Sequence, residues 1–245
     1  MDAALAASAT LVAVGFALST LDRWMRRRRP HDLAWSASLA LFALGAGALW
    51  WAETRGWSLA TFRVFYLAWA VLNVPWLALG TIYLVAGRTI GDRVRWWLVL
   101  LTGLSTGVVL FAPTRTTVAG TDLPTGKDVF GVAPRVLAAV GSGVAALVII
   151  AGALWSVYRL ARRREPALSG VPRTASSPTQ LVVGNLLIAL GTIVLSASGT
   201  VAGRLGKDTA FSLTLLVGIV VLFAGFLVAS TMPRRPVVAL RQRAA

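Results

Sequence analysis

The sequence predicts an all-α integral membrane protein of seven transmembrane helices, with the N-terminus outside and the C-terminus cytoplasmic. Three observations carry this. Of 245 residues, 57% are hydrophobic and only 13% charged, against about a quarter charged in soluble domains. Seven windows, 3–21, 33–52, 64–87, 96–114, 136–158, 174–203 and 209–233, contain no Asp, Glu, Lys or Arg. Each window holds about 19 residues or more, close to the roughly 20 apolar residues that cross a bilayer core at 1.5 Å of rise each.

The third observation is where the basic residues fall. Connections after the odd-numbered windows, with the C-terminal tail, hold 17 of the 24 Lys and Arg residues, and the opposite connections hold 7. Basic loops stay cytoplasmic. The net charge of +15 therefore faces anionic inner-leaflet lipid, at about 1 kcal/mol per basic residue, and not nucleic acid. Residues 1–233 form one transmembrane domain and 234–245 a short basic tail. A bacterial-type plasma membrane is the expected location.

The first window is preceded by Asp2 and followed by Arg26 to Arg29, the reverse of a signal peptide, so it is expected to remain as a helix. The second follows Pro30, with Asp32 as its N-cap, and closes on an aromatic belt of Trp50, Trp51 and Trp57. The third, with Asn73 and Pro75 at its centre, leads through a short loop, 88–95, into the fourth. That helix starts on Trp96 and Trp97 and carries Gly103 and Gly107, a spacing that permits close helix approach.

One long connection, 112–132, contains Pro-Thr-Gly-Lys-Asp, a turn-forming run, and is either a lid or disordered. The fifth helix begins near Pro134 and ends at Tyr158. A basic loop, 159–177, follows. The sixth has the clearest start: Ser177 as N-cap, Pro178 at the first position and Gln180 completing a capping box. The seventh spans 210–231 and stops at Pro233.

Two pentapeptides recur in order: Ala-Gly-Ala-Leu-Trp at 46–50 and 151–155, and Ala-Leu-Gly-Thr-Ile at 78–82 and 189–193. Paired helices would cross in opposite directions, which is the pattern of an inverted 3+3 repeat with a seventh helix appended.

Steps of four and three through the third helix place Tyr66, Trp69, Asn73, Trp76 and Tyr83 on one face. The same steps in the sixth align Asn185, Thr192 and Ser196 among small residues. Either the two stripes interlock, with Asn73 and Asn185 satisfying each other, or they part around a ligand. In the second case aromatic walls with a few polar groups make a binding pocket, and Pro75 frees a backbone carbonyl near Ala70 and Val71. Arg63, Arg135 and Arg204 flank the outer ends of helices and are either lipid-facing or a cationic outer mouth.

The chain has no cysteine and a single histidine, His31. Thiolate sites, haem ligation, zinc centres and Ser-His-Asp or Cys-His hydrolysis lack their residues. No ionisable residue lies at a window centre, so proton relays lack carriers. The expected function is non-enzymatic, without cofactor or metal: binding or passing a small, partly apolar, uncharged or weakly anionic molecule between helices three and six. The alternative is a sensor or accessory subunit that acts through its basic cytoplasmic loops. A homo-oligomer and a partner membrane protein are both compatible with the sequence.

Overall fold

The computed structural model describes residues 2–162, 178–205 and 208–230. It is helical throughout, and the sole β pairing among the described residues is an isolated antiparallel bridge between Thr114 and Phe130. The long helices are α1 (Asp2–Arg27), α2 (Pro30–Arg55), α3 (Leu59–Ala86), α4 (Arg88–Phe111), α5 (Val132–Arg162), α6 (Pro178–Leu205) and α7 (Asp208–Ser230). Five of them, α1 to α5, are long and apolar enough to cross a membrane, as expected of a membrane-embedded protein; α6 and α7 contain shorter apolar stretches, Val182–Leu195 and Leu216–Val228.

Six helices close a ring: α1 packs on α2 and α7, α2 on α3, α3 on α5, α5 on α6, and α6 on α7. Outside the ring lies α4, against α3 and α5. Small residues set the closest approaches. The buried alanines 6, 9, 13 and 17 of α1 share one face, and Ser36 Oγ of α2 donates to the Ala17 carbonyl at 3.0 Å. On α7, Gly218 lies against Leu195 of α6, and Gly225 against Ile188 and the Gly184 carbonyl. In each case a methyl group would collide with the facing helix.

Large rings fill the interior. Trp35 of α2 is fully buried, stacked on Phe226 of α7 with centroids 4.6 Å apart, and its indole Nε1 faces Gly80 of α3. At the other end of the ring Trp57, Phe62, Phe65, Tyr66 and Phe130 form a continuous aromatic cluster with neighbouring centroids 5.0 to 5.9 Å apart.

Several element boundaries differ from expectation. Pro30 is the first residue of α2 and Arg29 its N-cap, so Asp32 sits inside the first turn instead of capping it. Proline's fixed φ suits that first position. The expected loop 88–95 is helical: the chain reverses at Gly87 alone, whose φ of 84° favours glycine. Charges on this turn then pair along the helix, Arg88 with Asp92 at 3.5 Å. Trp57 leaves the expected belt and packs inside on Phe62 and Phe65, while Trp50, Trp51, Trp96 and Trp97 are exposed. Gly103 and Gly107 meet no neighbour within 4 Å, so among the described residues their spacing brings no helix close. The capping residue Ser177 and most of the basic loop 159–177 lie outside the described residues.

Candidate binding cavity

The centre of α3 departs from regular helix. Between Tyr66 and Leu72 the backbone widens into a π-helical segment, and the Asn73 N–H bonds the Ala68 carbonyl, five residues back. Pro75 explains why the distortion lies here. It has no N–H for the carbonyls of the preceding turn, and its ring needs room there. Such widened turns recur at functional sites.

One carbonyl beside the distortion finds a partner on α5. Ser142 Oγ donates to the Ala70 carbonyl at 2.6 Å, and Gly141 lies over the Val71 carbonyl. The expected free carbonyl is thus present at the expected level, and a neighbouring helix satisfies it. Contacts between 71 and 141 and between Thr81 and Gly152 show that α3 and α5 run in the same direction.

Below this segment α3, α5 and α6 part around a cavity of about 240 Å³ lined by Trp69, Ala70, Asn73, Val74, Leu77, Ser142, Thr192 and Leu195. Five of the lining side chains are apolar. The polar groups are three. Asn73 Oδ1 accepts a hydrogen bond from Ser38 Oγ of α2 at 2.7 Å, and the same hydroxyl reaches the Asn73 carbonyl at 3.1 Å. The Asn73 amide nitrogen makes no hydrogen bond among the described residues. Ser142 and Thr192 spend their hydroxyl hydrogens on the Ala70 and Ile188 carbonyls, which leaves their oxygen lone pairs as acceptors. The cavity therefore presents an amide donor, hydroxyl acceptors and a tryptophan wall. Among the described residues no charged side chain lines it.

Of the sequence-predicted site residues, the structure brings Trp69, Asn73 and Thr192 together at this cavity. Four others are elsewhere. Tyr66 lies in the aromatic cluster beyond it, its hydroxyl 3.5 Å from the Pro134 carbonyl. Trp76 points away towards α4, where Nε1 donates to Thr102 Oγ1 at 3.3 Å. Tyr83 closes the α3–α4 turn through a 2.8 Å bond to Asp92, its ring against Gly91. Asn185 donates to Ser156 of α5 at 2.7 Å, so the two asparagines each bond a serine and not one another. The side chain of Ser196 lies outside the described residues. The π-helical segment changes the angular step only between Tyr66 and Asn73; Trp76 and Tyr83 follow in regular helix, where steps of three and ten residues set them about 60° and about 80° round from Asn73, on the flank that meets α4.

The outer-mouth set divides similarly. Arg63 Nη2 donates to the Ala112 carbonyl at the end of α4 at 2.8 Å, which ties it to the loop. Arg135 is exposed, and the Arg204 side chain lies outside the described residues. Loop 112–132 is ordered: Trp57 N bonds the Gly120 carbonyl at 2.7 Å, Arg115 N bonds the Val129 carbonyl at 2.9 Å, and a helical turn, Gly126–Val129, sets Gly126 against the Tyr66 ring. Phe130 follows, fully buried on Phe62.

Ser142, Ser38, Val74 and Leu195 escaped the sequence reading. The Gly141-Ser142-Gly143 run was the available signal for Ser142. Among the described residues no group of three or more His, Asp or Glu converges on a point that a metal ion would occupy. Neither a protein-family model, nor a curated protein, nor a solved structure matches the chain.

Proposed function

We propose that this chain is a polytopic, non-enzymatic protein of a plasma membrane, its N-terminus outside, that binds or passes a small, uncharged or weakly anionic, partly apolar molecule. The site is the cavity between α3, α5 and α6. One observation carries the reading: Asn73, only 7% exposed, lines an apolar cavity with an amide nitrogen unbonded among the described residues, beside a π-helical backbone. A ligand acceptor, such as a carbonyl or ether oxygen, would bond that nitrogen while Trp69 and Val74 cover its apolar part. The asymmetry of basic residues supports the orientation, and the exposed Trp50, Trp51, Trp96 and Trp97 suit the two interfaces of a bilayer.

Native mass spectrometry of the gently solubilised full chain tests the reading. A small molecule bound one per chain is expected in the wild type. It should be lost in Asn73→Ala, which removes the donor, and in Val74→Trp, which fills the cavity while keeping the polar set. A wild-type chain without any such molecule, or one that both folded variants retain unchanged, rejects the site.

A further inference from the structure

A second groove lies further along the same seam of α3 and α5. It encloses about 530 Å³ and is lined by Thr81, Ile82 and Val85 of α3 and by Val148, Gly152 and Trp155 of α5, with Ala86 and Ala151 at its open edge. Thr81 carries the one hydroxyl or amide side chain among the described residues of the wall. Its residue is 2% exposed, its methyl rests against Gly152, and its hydroxyl is buried without a partner. The groove is otherwise hydrocarbon-lined, and Ala86, Ala151 and Trp155 of its lining are exposed, which suits a flexible apolar chain better than a compact polar solute.

What lies at its end selects the occupant. Because α3 and α5 run in the same direction, both continue past the Thr81–Gly152 contact towards one face. The helix of α3 ends at Ala86, about 8 Å beyond Thr81, and Arg88 opens α4 directly after the Gly87 turn, while Arg162 lies two turns beyond Trp155 and about 15 Å along α5 from Gly152, at 1.5 Å per residue. Trp155 and Tyr158 stack with centroids 5.6 Å apart, and the Arg162 guanidinium covers the Tyr158 ring at 4.7 Å. Residues 155, 158 and 162 share a helix face. Amphipathic aromatics followed by arginine are the side chains that settle at the headgroup level of a bilayer. Arg88 is 80% exposed at its side chain and touches Asp92 through Nε at 3.5 Å, so its terminal nitrogens remain available to a phosphate.

We propose that this groove holds one acyl chain of an anionic glycerophospholipid of the surrounding bilayer, with its phosphate between Arg88 and Arg162. The site is separate from the cavity at Asn73, and its occupancy does not depend on what that cavity binds.

The test is native mass spectrometry of the full chain released from mixed micelles containing equal mole fractions of dioleoylphosphatidylglycerol and dioleoylphosphatidylcholine. At about 1 kcal/mol per arginine near the headgroup, two arginines predict about 30-fold preferential retention of one phosphatidylglycerol. Arg88→Gln with Arg162→Gln should bring the preference close to one. Ala151→Trp should expel the bound lipid of either kind, and Ala86→Trp blocks the groove from the opposite wall, so the conclusion does not rest on one variant folding. Leu104→Trp, on the exposed side of α4, serves as a control that should leave retention unchanged. Equal retention of the two lipids by the wild type overturns the proposal. So does undiminished phosphatidylglycerol binding in a folded groove-filling or double-glutamine variant.

Discussion

Ser142 of α5 donates its hydroxyl to the Ala70 carbonyl of α3 at 2.6 Å, across the seam where α3 loses its regular bonding. The bond joins the distortion to a second helix. Pro75 and the π-helical segment displace backbone carbonyls from their usual donors, and at apolar depth no water replaces them. Ser142→Ala is therefore expected to lower stability by about 1 kcal/mol, between the small average for an interhelical bond in a membrane and the larger cost of an orphaned acceptor. Thermal unfolding of the detergent-solubilised chain measures it. An unchanged midpoint would mean the Ala70 carbonyl finds another donor.

Two glycines in helices should respond with opposite signs to the same added methyl. At Gly80 the new carbon would strike the indole of Trp35, which is backed by Phe226 and has no room to retreat. Overpacking of that kind costs about 1–3 kcal/mol or more. At Gly103 nothing lies within 4 Å, and replacing a helical glycine by alanine gains up to about 1 kcal/mol. Gly80→Ala should thus lower the unfolding midpoint and Gly103→Ala raise it. Equal shifts would contradict the placement of Trp35.

Trp35 shows what the sequence could not disclose. Its burial depends on Gly80 and Phe226, 45 and 191 residues away along the chain, and no local pattern connects the three. By contrast the helices themselves were legible, because charge-free windows of membrane length are a one-dimensional signal. Their ends were less so: charged residues such as Arg27 and Arg88 to Arg95 extend helices beyond the apolar windows, since a helix pairs its own backbone whether or not it lies in hydrocarbon. Asn73 was correctly singled out as a polar group at the centre of an apolar helix. Of its companions, Trp69 and Thr192 share the cavity, whereas Trp76 and Tyr83 sit on the flank of the regular helix that meets α4. The close α6–α7 contact was present in the sequence as glycines seven apart, 184 with 191 and 218 with 225, a spacing easily lost in a chain with 23 glycines.

Asn185 separates a structural asparagine from a binding one. Its amide donates to Ser156 while its Oδ1 is buried without a partner, and it does not line the cavity. Asn185→Leu removes one modest bond together with one unsatisfied acceptor, so the net change in stability should stay below about 1 kcal/mol. A molecule retained at Asn73 should remain bound in this variant. Loss of that molecule in a stable Asn185→Leu chain would place Asn185 in the site.

The loop over the aromatic cluster should open when its anchor is removed. Phe130 is fully buried against Phe62 and Tyr66, and the backbone around it is held by the Thr114–Phe130 bridge and the bond from Arg115 to Val129. The helices beneath do not depend on it for their own backbone bonding, so damage should stay local. Phe→Ala in a packed core costs about 3 kcal/mol or more, which corresponds to an opening equilibrium shifted by about 100-fold. Arg115 and Lys127 are exposed on the loop and supply tryptic sites there. Phe130→Ala should therefore be cut by trypsin within 112–132 about 100-fold faster than the wild type, with helical circular dichroism unchanged. Gly126→Ala, whose methyl would press on the Tyr66 ring, should move cleavage in the same direction. Cleavage at the wild-type rate in both variants would show that the loop is held by its backbone bonds and not by the ring cluster.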